Sequence, residues 1–242
     1  MILFILMIAH FLADFTFQTT KLAQRKLKHF KYLIYHALIY AVMILVVIFP
    51  LVKFQKAILP YIIVIGSHFI IDWIRKLVDK KIRRKSNLFF SFIIDQHLHV
   101  FILVVMYYVF NLGAYQTSLY NYIQQWTYFN RMVIYSLIFV ILWDPVAVFI
   151  KKLFLYIIDR NSSDQEENDP QVGRIIGKLE RIIILILILC NQFGAIGFVL
   201  TAKSIARYKQ LEDKSFAEKY LVGTLTSVVF AFITTIILKE FL

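Results

Sequence analysis

Two short patterns carry the chemistry-bearing residues of this chain. His10 and Asp14 stand four residues apart in the apolar run Ala9-His10-Phe11-Leu12-Ala13-Asp14-Phe15, and the pattern returns as Ser67-His68-Phe69-Ile70-Ile71-Asp72-Trp73. On a helix, positions i and i+4 share one face, so each copy sets an imidazole beside a carboxylate on a surface otherwise made of Phe, Leu and Ile. Imidazole and carboxylate together can ligate a metal ion, accept a proton as a general base or pass a proton along. Gln18 and Lys76 extend the two patterns by one further turn. His36 and the group Asp95, Gln96 and His99 lie in the apolar segments that follow each copy.

The segments that must hold these residues are membrane-like. Hydrophobic residues make up 60% of the 242 and charged residues 17%, outside the range of a soluble globular domain. A spanning helix needs roughly 20 mainly apolar residues, and candidates lie near 1–20, 32–52, 59–75, 88–110, 131–150, 182–202 and 220–238. The expected fold is therefore all-α, a polytopic membrane bundle of about seven helices, with six as the alternative. The first four read as a tandem repeat of two helical hairpins. The first segment has neither a basic leader nor a small-residue cleavage site, so it reads as a retained helix rather than a signal. Cys190, alone in a hydrophobic run, reads as a packing residue.

A net charge of +12 could suit nucleic acid, but its distribution points elsewhere. Lys21, Arg25, Lys26, Lys28 and Lys31 fill the first connection, and Arg75 to Lys85 the third, while the second holds only Lys53 and Lys56. That alternation follows the positive-inside rule, placing the first and third loops in the cytoplasm against anionic head groups and the N-terminus outside. At about 1.5 Å rise per residue, Asp14, His36, Asp72 and Asp95 all fall roughly 5 to 12 Å inside the cytoplasmic ends of their helices, with His10, His68 and His99 about one turn deeper. Four helices thus bring their polar groups to one level.

The expected organisation is a four-helix module over 1–110 with the His/Asp site, an outer aromatic loop and broken fifth helix over 111–158, an acidic cytoplasmic linker over 159–172 and a helical hairpin module over 173–242. The fifth helix contains Trp143-Asp144-Pro145, where proline interrupts the ladder and Asp144 is a good cap for the helix resuming after it. The basic run from Lys203 to Lys219 would lie outside by simple alternation. A sixth segment broken and re-entrant near Asn191 would return it to the cytoplasm and leave six full spans.

The order His10-x3-Asp14-x3-Gln18, then His36, then His68-x3-Asp72-x3-Lys76, then Asp95-Gln96-x2-His99 resembles a bacterial family of multispanning membrane proteins known as domain of unknown function 3307, over about residues 1–110. Gly177 to Arg181, Lys203-Ser204-x2-Arg207 and Tyr220 to Thr224 are similar to the extension of its longer members. The resemblance implies a bacterial cytoplasmic membrane location and carries no activity.

The chemistry is read from the residues. His10, Asp14, His36, His68, Asp72 and His99 form the expected ligand set for a divalent metal, zinc first, with manganese or iron as alternatives. Asp95 serves as ligand or general base, Gln18 and Gln96 orient water or substrate, and Arg75 and Lys76 meet a head-group phosphate. This points to a membrane hydrolase acting on a lipid-like ester or phosphoester. Two readings compete with it: a carrier or channel passing protons or a divalent cation, and a scaffold in which each His-x3-Asp is only an internal hydrogen bond. Expected partners are membrane lipids and the lipid-like substrate, with self-association left open and no nucleic acid.

Overall fold

The computed structural model describes the backbone of residues 1–82, 85–158 and 170–242, and all their side chains except those of 85, 86, 158 and 170–172. The acidic linker expected over 159–172 therefore falls almost wholly outside the described residues, as do Arg83 and Arg84. Every regular element described is helical, and the chain divides into two compact units, Met1–Leu137 and Ile138–Leu242.

In the N-terminal unit the principal helices are α1 (Ile2–Phe11), α2 (Thr20–Lys28), α3 (Phe30–Leu51), α4 (Phe54–Lys81) and α5 (Lys85–Val109). α1 packs on α3 and α5, and α4 packs on the same two, so the four make a closed ring. Each turns one narrow stripe inward. On α4 the buried residues are Ala57, Pro60, Val64, His68, Asp72 and Lys76, and on α3 they are Ile48, Ile44, Tyr40, His36 and Leu33. The spacing of three and four is that of a single helix face. Because α3 and α4 run in opposite directions, their apolar ends meet at one end of the ring and their polar ends at the other.

The outward faces carry Val42, Val46, Ile62 and Phe101, all more than half exposed. Large apolar side chains on the outside and polar ones within is the arrangement a hydrocarbon surrounding selects. Among the described residues, five helices are long and apolar enough to cross a membrane: Phe30–Leu51, Phe54–Lys81, Asn87–Val109, Phe129–Ile157 and Lys214–Lys239. The bent pair Ile2–Thr16 and Thr20–Lys28 makes a sixth if taken as one span. The protein is a multi-pass all-α membrane protein by these measures.

Two local features shape the first helix. After Phe11 the backbone widens into a π-helical turn, Leu12–Thr16, closed by Phe17 N–H donating to the Leu12 carbonyl at 2.8 Å. The chain then turns by 79° into α2, whose first turn is capped by Thr19 Oγ1 accepting from Leu22 N–H at 3.2 Å. At the opposite end of the ring the α3–α4 connection is pinned to the segment after α5, with Lys53 N–H donating to the Tyr115 carbonyl and Thr117 N–H to that of Leu51. The α6 helix (Ser118–Gln124) follows, its first turn capped by Thr117.

α7 (Phe129–Trp143) is interrupted at Asp144-Pro145 and continues as α8 (Pro145–Ile158). The C-terminal unit also holds α9 (Pro170–Leu189), α10 (Phe193–Ala206) and α11 (Lys214–Lys239). The segment expected as the sixth span, 182–202, is thus two helices, separated at Asn191, whose φ of 57° takes the chain out of the helix. Proline interrupts the ladder at the end of α7, and Arg181 donates to carbonyls there, its Nε to that of Leu142 at 2.6 Å and its Nη2 to that of Trp143 at 3.5 Å, while its Nη1 donates to Ser227 Oγ at 3.2 Å. Asp144 accepts from Lys178. The three sequence segments singled out in the second half also meet here, through Lys203 with Glu180 at 2.7 Å and with Thr224 at 3.0 Å, and Ser204 with Tyr220 at 3.2 Å. A side chain at Gly223 would collide with Phe154 at 2.9 Å, so α11 approaches α8 closely there.

Candidate metal centre

The polar ends of the four ring helices converge on one buried cluster. His36 Nε2 faces His68 Nε2 at 3.1 Å. Asp14 Oδ1 lies 3.3 Å from the first and 3.5 Å from the second, and Asp72 Oδ2 lies 3.3 and 3.7 Å from the same two atoms. His10 and His36 are fully buried, and Asp14, His68, Asp72, Asp95 and His99 are all less than a tenth exposed. The π turn explains why Asp14 reaches across to α3 and α4. Widening the helix after Phe11 rotates the carboxylate relative to an ordinary i+4 position, and π turns of this kind recur at functional sites. Asp14 makes its short contacts with His36 and His68 rather than with His10 of its own pattern.

The remaining imidazoles are oriented by neighbours. His99 Nδ1 sits 2.7 Å from the Asp95 backbone carbonyl, which can only accept, so that nitrogen is the donor and Nε2 is the one available to a ligand. His10 Nδ1 pairs with Tyr40 Oη at 3.3 Å, and the Tyr40 ring stacks on His68 with centroids 3.7 Å apart and planes within 8°. Tyr40 is one helical turn from His36 on α3. Its place in the site was legible in the spacing His36-x3-Tyr40, although a tyrosine in an aromatic-rich chain is easily passed over.

Two cations enter the cluster. Lys26, from α2, donates to both Asp72 oxygens at 3.0 and 2.9 Å, and the Gln18 amide, oriented by its partners, accepts from Lys26 Nζ and donates to the Asp14 carbonyl. Nothing in the sequence set Lys26 apart from the other basic residues of its loop. Arg75 Nη1 donates to Asp95 Oδ2 at 2.6 Å and its Nε lies 3.6 Å from Asp79 Oδ2, so this guanidinium is committed to two carboxylates. Gln96 donates to Asp95 Oδ2 at 2.9 Å. Lys76 is buried with its ammonium over the Phe30 ring at 5.9 Å. His97 is exposed, its Nδ1 on the Ile93 carbonyl, and stands apart from the cluster.

Among the described residues, three groups of side chains could each hold an ion: His10, Asp14 and His68; His36, His68 and Asp72; and Asp72, Asp95 and His99. The second approaches a tetrahedral ligand face. Tetrahedral coordination with bonds of about 2.0–2.1 Å sets ligand atoms roughly 3.3–3.4 Å apart, and this triangle has edges of 3.1, 3.3 and 3.7 Å. Replacing Asp72 by Asp14 gives 3.1, 3.3 and 3.5 Å. Among the described residues, His10 Nε2, Asp14 Oδ1, His36 Nδ1, His68 Nδ1, Asp95 Oδ1 and His99 Nε2 are buried and find no hydrogen bond; Asp14 Oδ1 is a corner of the second of these triangles, while on His36 and His68 the unmet atom is Nδ1 and not the Nε2 that faces it. Each such atom costs about 1–3 kcal/mol, so the cluster calls for a partner from outside the chain, an ion or ordered water.

No curated protein and no solved structure matches the chain. Residues 2–130 do match a family, described as "Protein of unknown function (DUF3307)", and that stretch contains the whole of α1 to α5 and every residue of the cluster. With more than half of its length matched, including all of the buried His/Asp site, the chain belongs to the DUF3307 family.

Proposed function

We propose that the cluster binds a divalent cation, zinc in the first place with manganese or iron as alternatives, and that the protein is a membrane hydrolase acting on a lipid-like ester or phosphoester. The observation that carries this reading is the triangle of His36 Nε2, His68 Nε2 and Asp72 Oδ2, with edges close to those of a tetrahedral ligand face. His36, His68, Asp72 and Asp14 hold the ion in this reading, and His10 and His99 complete the set. Such an ion supplies Lewis-acid polarisation of an ester or phosphoryl oxygen and activation of water near neutral pH. Asp95 Oδ1, free of hydrogen bonds while its other oxygen is held by Arg75 and Gln96, is aligned as ligand or general base. Gln18 orients water or substrate.

The end of the ring that carries the site is the cytoplasmic one in this reading. Lys21, Arg25, Lys28, Lys31, Lys80 and Lys81 are all exposed there, as the positive-inside rule requires of a protein in the bacterial inner membrane. α1 with α3 and α4 with α5 then act as two related hairpins, each supplying one His-x3-Asp face.

A carrier of protons or divalent cations is the second reading, favoured by the run of imidazoles His10, His99, His68 and His36, whose adjacent ring centroids are 5.8, 4.2 and 5.2 Å apart. Beyond them the ring interior is Leu6, Ile44, Ile48, Val64 and Leu103, an apolar core with no chain of His or carboxylate groups toward the other end among the described residues. That weighs toward the hydrolase. The test is elemental analysis of the detergent-purified protein beside His68→Ala and Asp72→Ala variants, followed by assays of lipid turnover and of proton or metal flux in liposomes. Stoichiometric metal lost in both variants, with turnover and no flux, is the expected result. Metal-free protein whose stability is indifferent to the substitutions, or flux without turnover, refutes the hydrolase.

A further inference from the structure

We propose that Lys26 is the residue that holds the anionic group of the substrate, and that this group is a lipid phosphodiester. The inference rests on the metal reading and goes beyond it by assigning a residue and a substrate class. Its basis is the unusual position of Lys26. α2 otherwise exposes its basic residues Lys21, Arg25 and Lys28, whereas Lys26 is 8% exposed and reaches into the ring to bond both oxygens of Asp72. Asp72 Oδ2 is at the same time one corner of the metal triangle with His36 and His68.

A divalent ion on Asp72 and the Lys26 ammonium compete for the same carboxylate. When the ion takes it, the ion's charge repels the ammonium and the carboxylate's charge is no longer free to balance it. The other hydrogen-bond partner of Lys26, the Gln18 amide oxygen, is neutral. A buried ammonium without a counter-charge is expensive, so cation loading turns Lys26 from an internal ion-pair partner into an anion receptor beside the ion. The other two basic residues near the cluster are differently engaged: Arg75 is tied to Asp95 and Asp79, and Lys76 rests on Phe30.

A phosphoryl oxygen suits this ammonium, whose remaining partner is only the neutral Gln18 amide oxygen. The lipid form is favoured by the setting, because α2 turns 79° away from α1 at the polar end of the ring, with Phe17 and Phe30 exposed at its two ends and a basic outer face. That is how an amphipathic helix lies at the level of the head groups.

The prediction is positive coupling between metal and phosphodiester, which by linkage can be read from either ligand. Zinc affinity of the full chain in detergent is measured by chelator competition, alone and with dihexanoyl phosphatidylglycerol or inorganic phosphate. The short lipid is expected to tighten zinc binding by tenfold or more. Lys26→Met should still bind zinc, at least as tightly as the wild type without lipid, and lose the coupling. Lys26→Arg should retain it, and Lys21→Met, on the exposed face of α2, should leave it unchanged. Zinc bound by the wild type with no response to lipid, or coupling that survives in Lys26→Met, overturns this inference and leaves the metal site standing. Tightening by inorganic phosphate alone overturns the lipid assignment. Failure of every form to bind zinc overturns the metal reading and this one with it. If Lys26→Met does not fold, the wild-type response and the Lys26→Arg variant still decide.

Discussion

Asp72→Asn is the sharpest single perturbation of the cluster, because it removes a charge while keeping the volume of the side chain. In the protein Asp72 receives two hydrogen bonds from Lys26 at 3.0 and 2.9 Å, and the two side chains are only 3% and 10% exposed, so solvent screening is slight. At about 3 Å and an effective dielectric constant of about 20, the attraction is on the order of 5 kcal/mol. Much of it offsets the cost of burying both ions, so the pair itself contributes little net stability. Breaking it is another matter. Asn leaves the Lys26 ammonium buried without a counter-charge, a change that costs about 3–5 kcal/mol. At 1.4 kcal/mol per factor of ten, this lowers the folded-to-unfolded ratio by roughly 10²- to 10³-fold or more. The double variant Lys26→Met, Asp72→Asn removes both charges and should recover most of that loss. The assay is reversible denaturant unfolding in detergent, with chelator present so that no metal contributes, carried out on the two single variants and the double as a cycle. A cost under about 1 kcal/mol for Asp72→Asn, or a double variant no more stable than Asp72→Asn alone, would mean that Lys26 and Asp72 are not coupled and that the account of the site's charges is wrong.

Two further outcomes follow from contacts outside the ion pair. Tyr40→Phe keeps the ring on His68 and loses only the bond to His10, costing about 0.5–1.5 kcal/mol, whereas Tyr40→Ala removes the fully buried ring and costs about 3–5 kcal/mol; the same unfolding assay separates them. Arg181→Met in the C-terminal unit leaves the Leu142 carbonyl and Ser227 without their donor, so hydrogen exchange should rise around the Asp144-Pro145 break and stability should fall by about 2–4 kcal/mol, against under about 0.5 kcal/mol for the exposed His97→Ala.

Much of the cluster could be read along single helices. The i, i+4 spacing puts His68 with Asp72 and Asp95 with His99 on one face each, and the structure turns those faces inward together with His36 and His10. The membrane character and the all-helical class were equally plain, since a long apolar segment has few other ways to satisfy its backbone in hydrocarbon. The sixth apolar segment is divided at Asn191, where the sequence already offered a break. Other features had no local signature. Arg75, expected to meet a head group from its place about one turn from Asp72, donates to Asp95 on the neighbouring helix, a pairing that the sequence did not signal.

What the amino-acid sequence determined by itself is the facing of each helix, because periodicity is a property of neighbouring residues and survives any choice of partner helix. What only the tertiary structure decided is who meets whom: the π turn that swings Asp14 toward His36 and His68, the 79° bend that carries Lys26 to Asp72, and the closed ring that places both within reach of one another. Those pairings depend on interhelical distances and angles fixed by packing between segments as far apart as the 46 residues separating Lys26 from Asp72, a range over which no local pattern carries information.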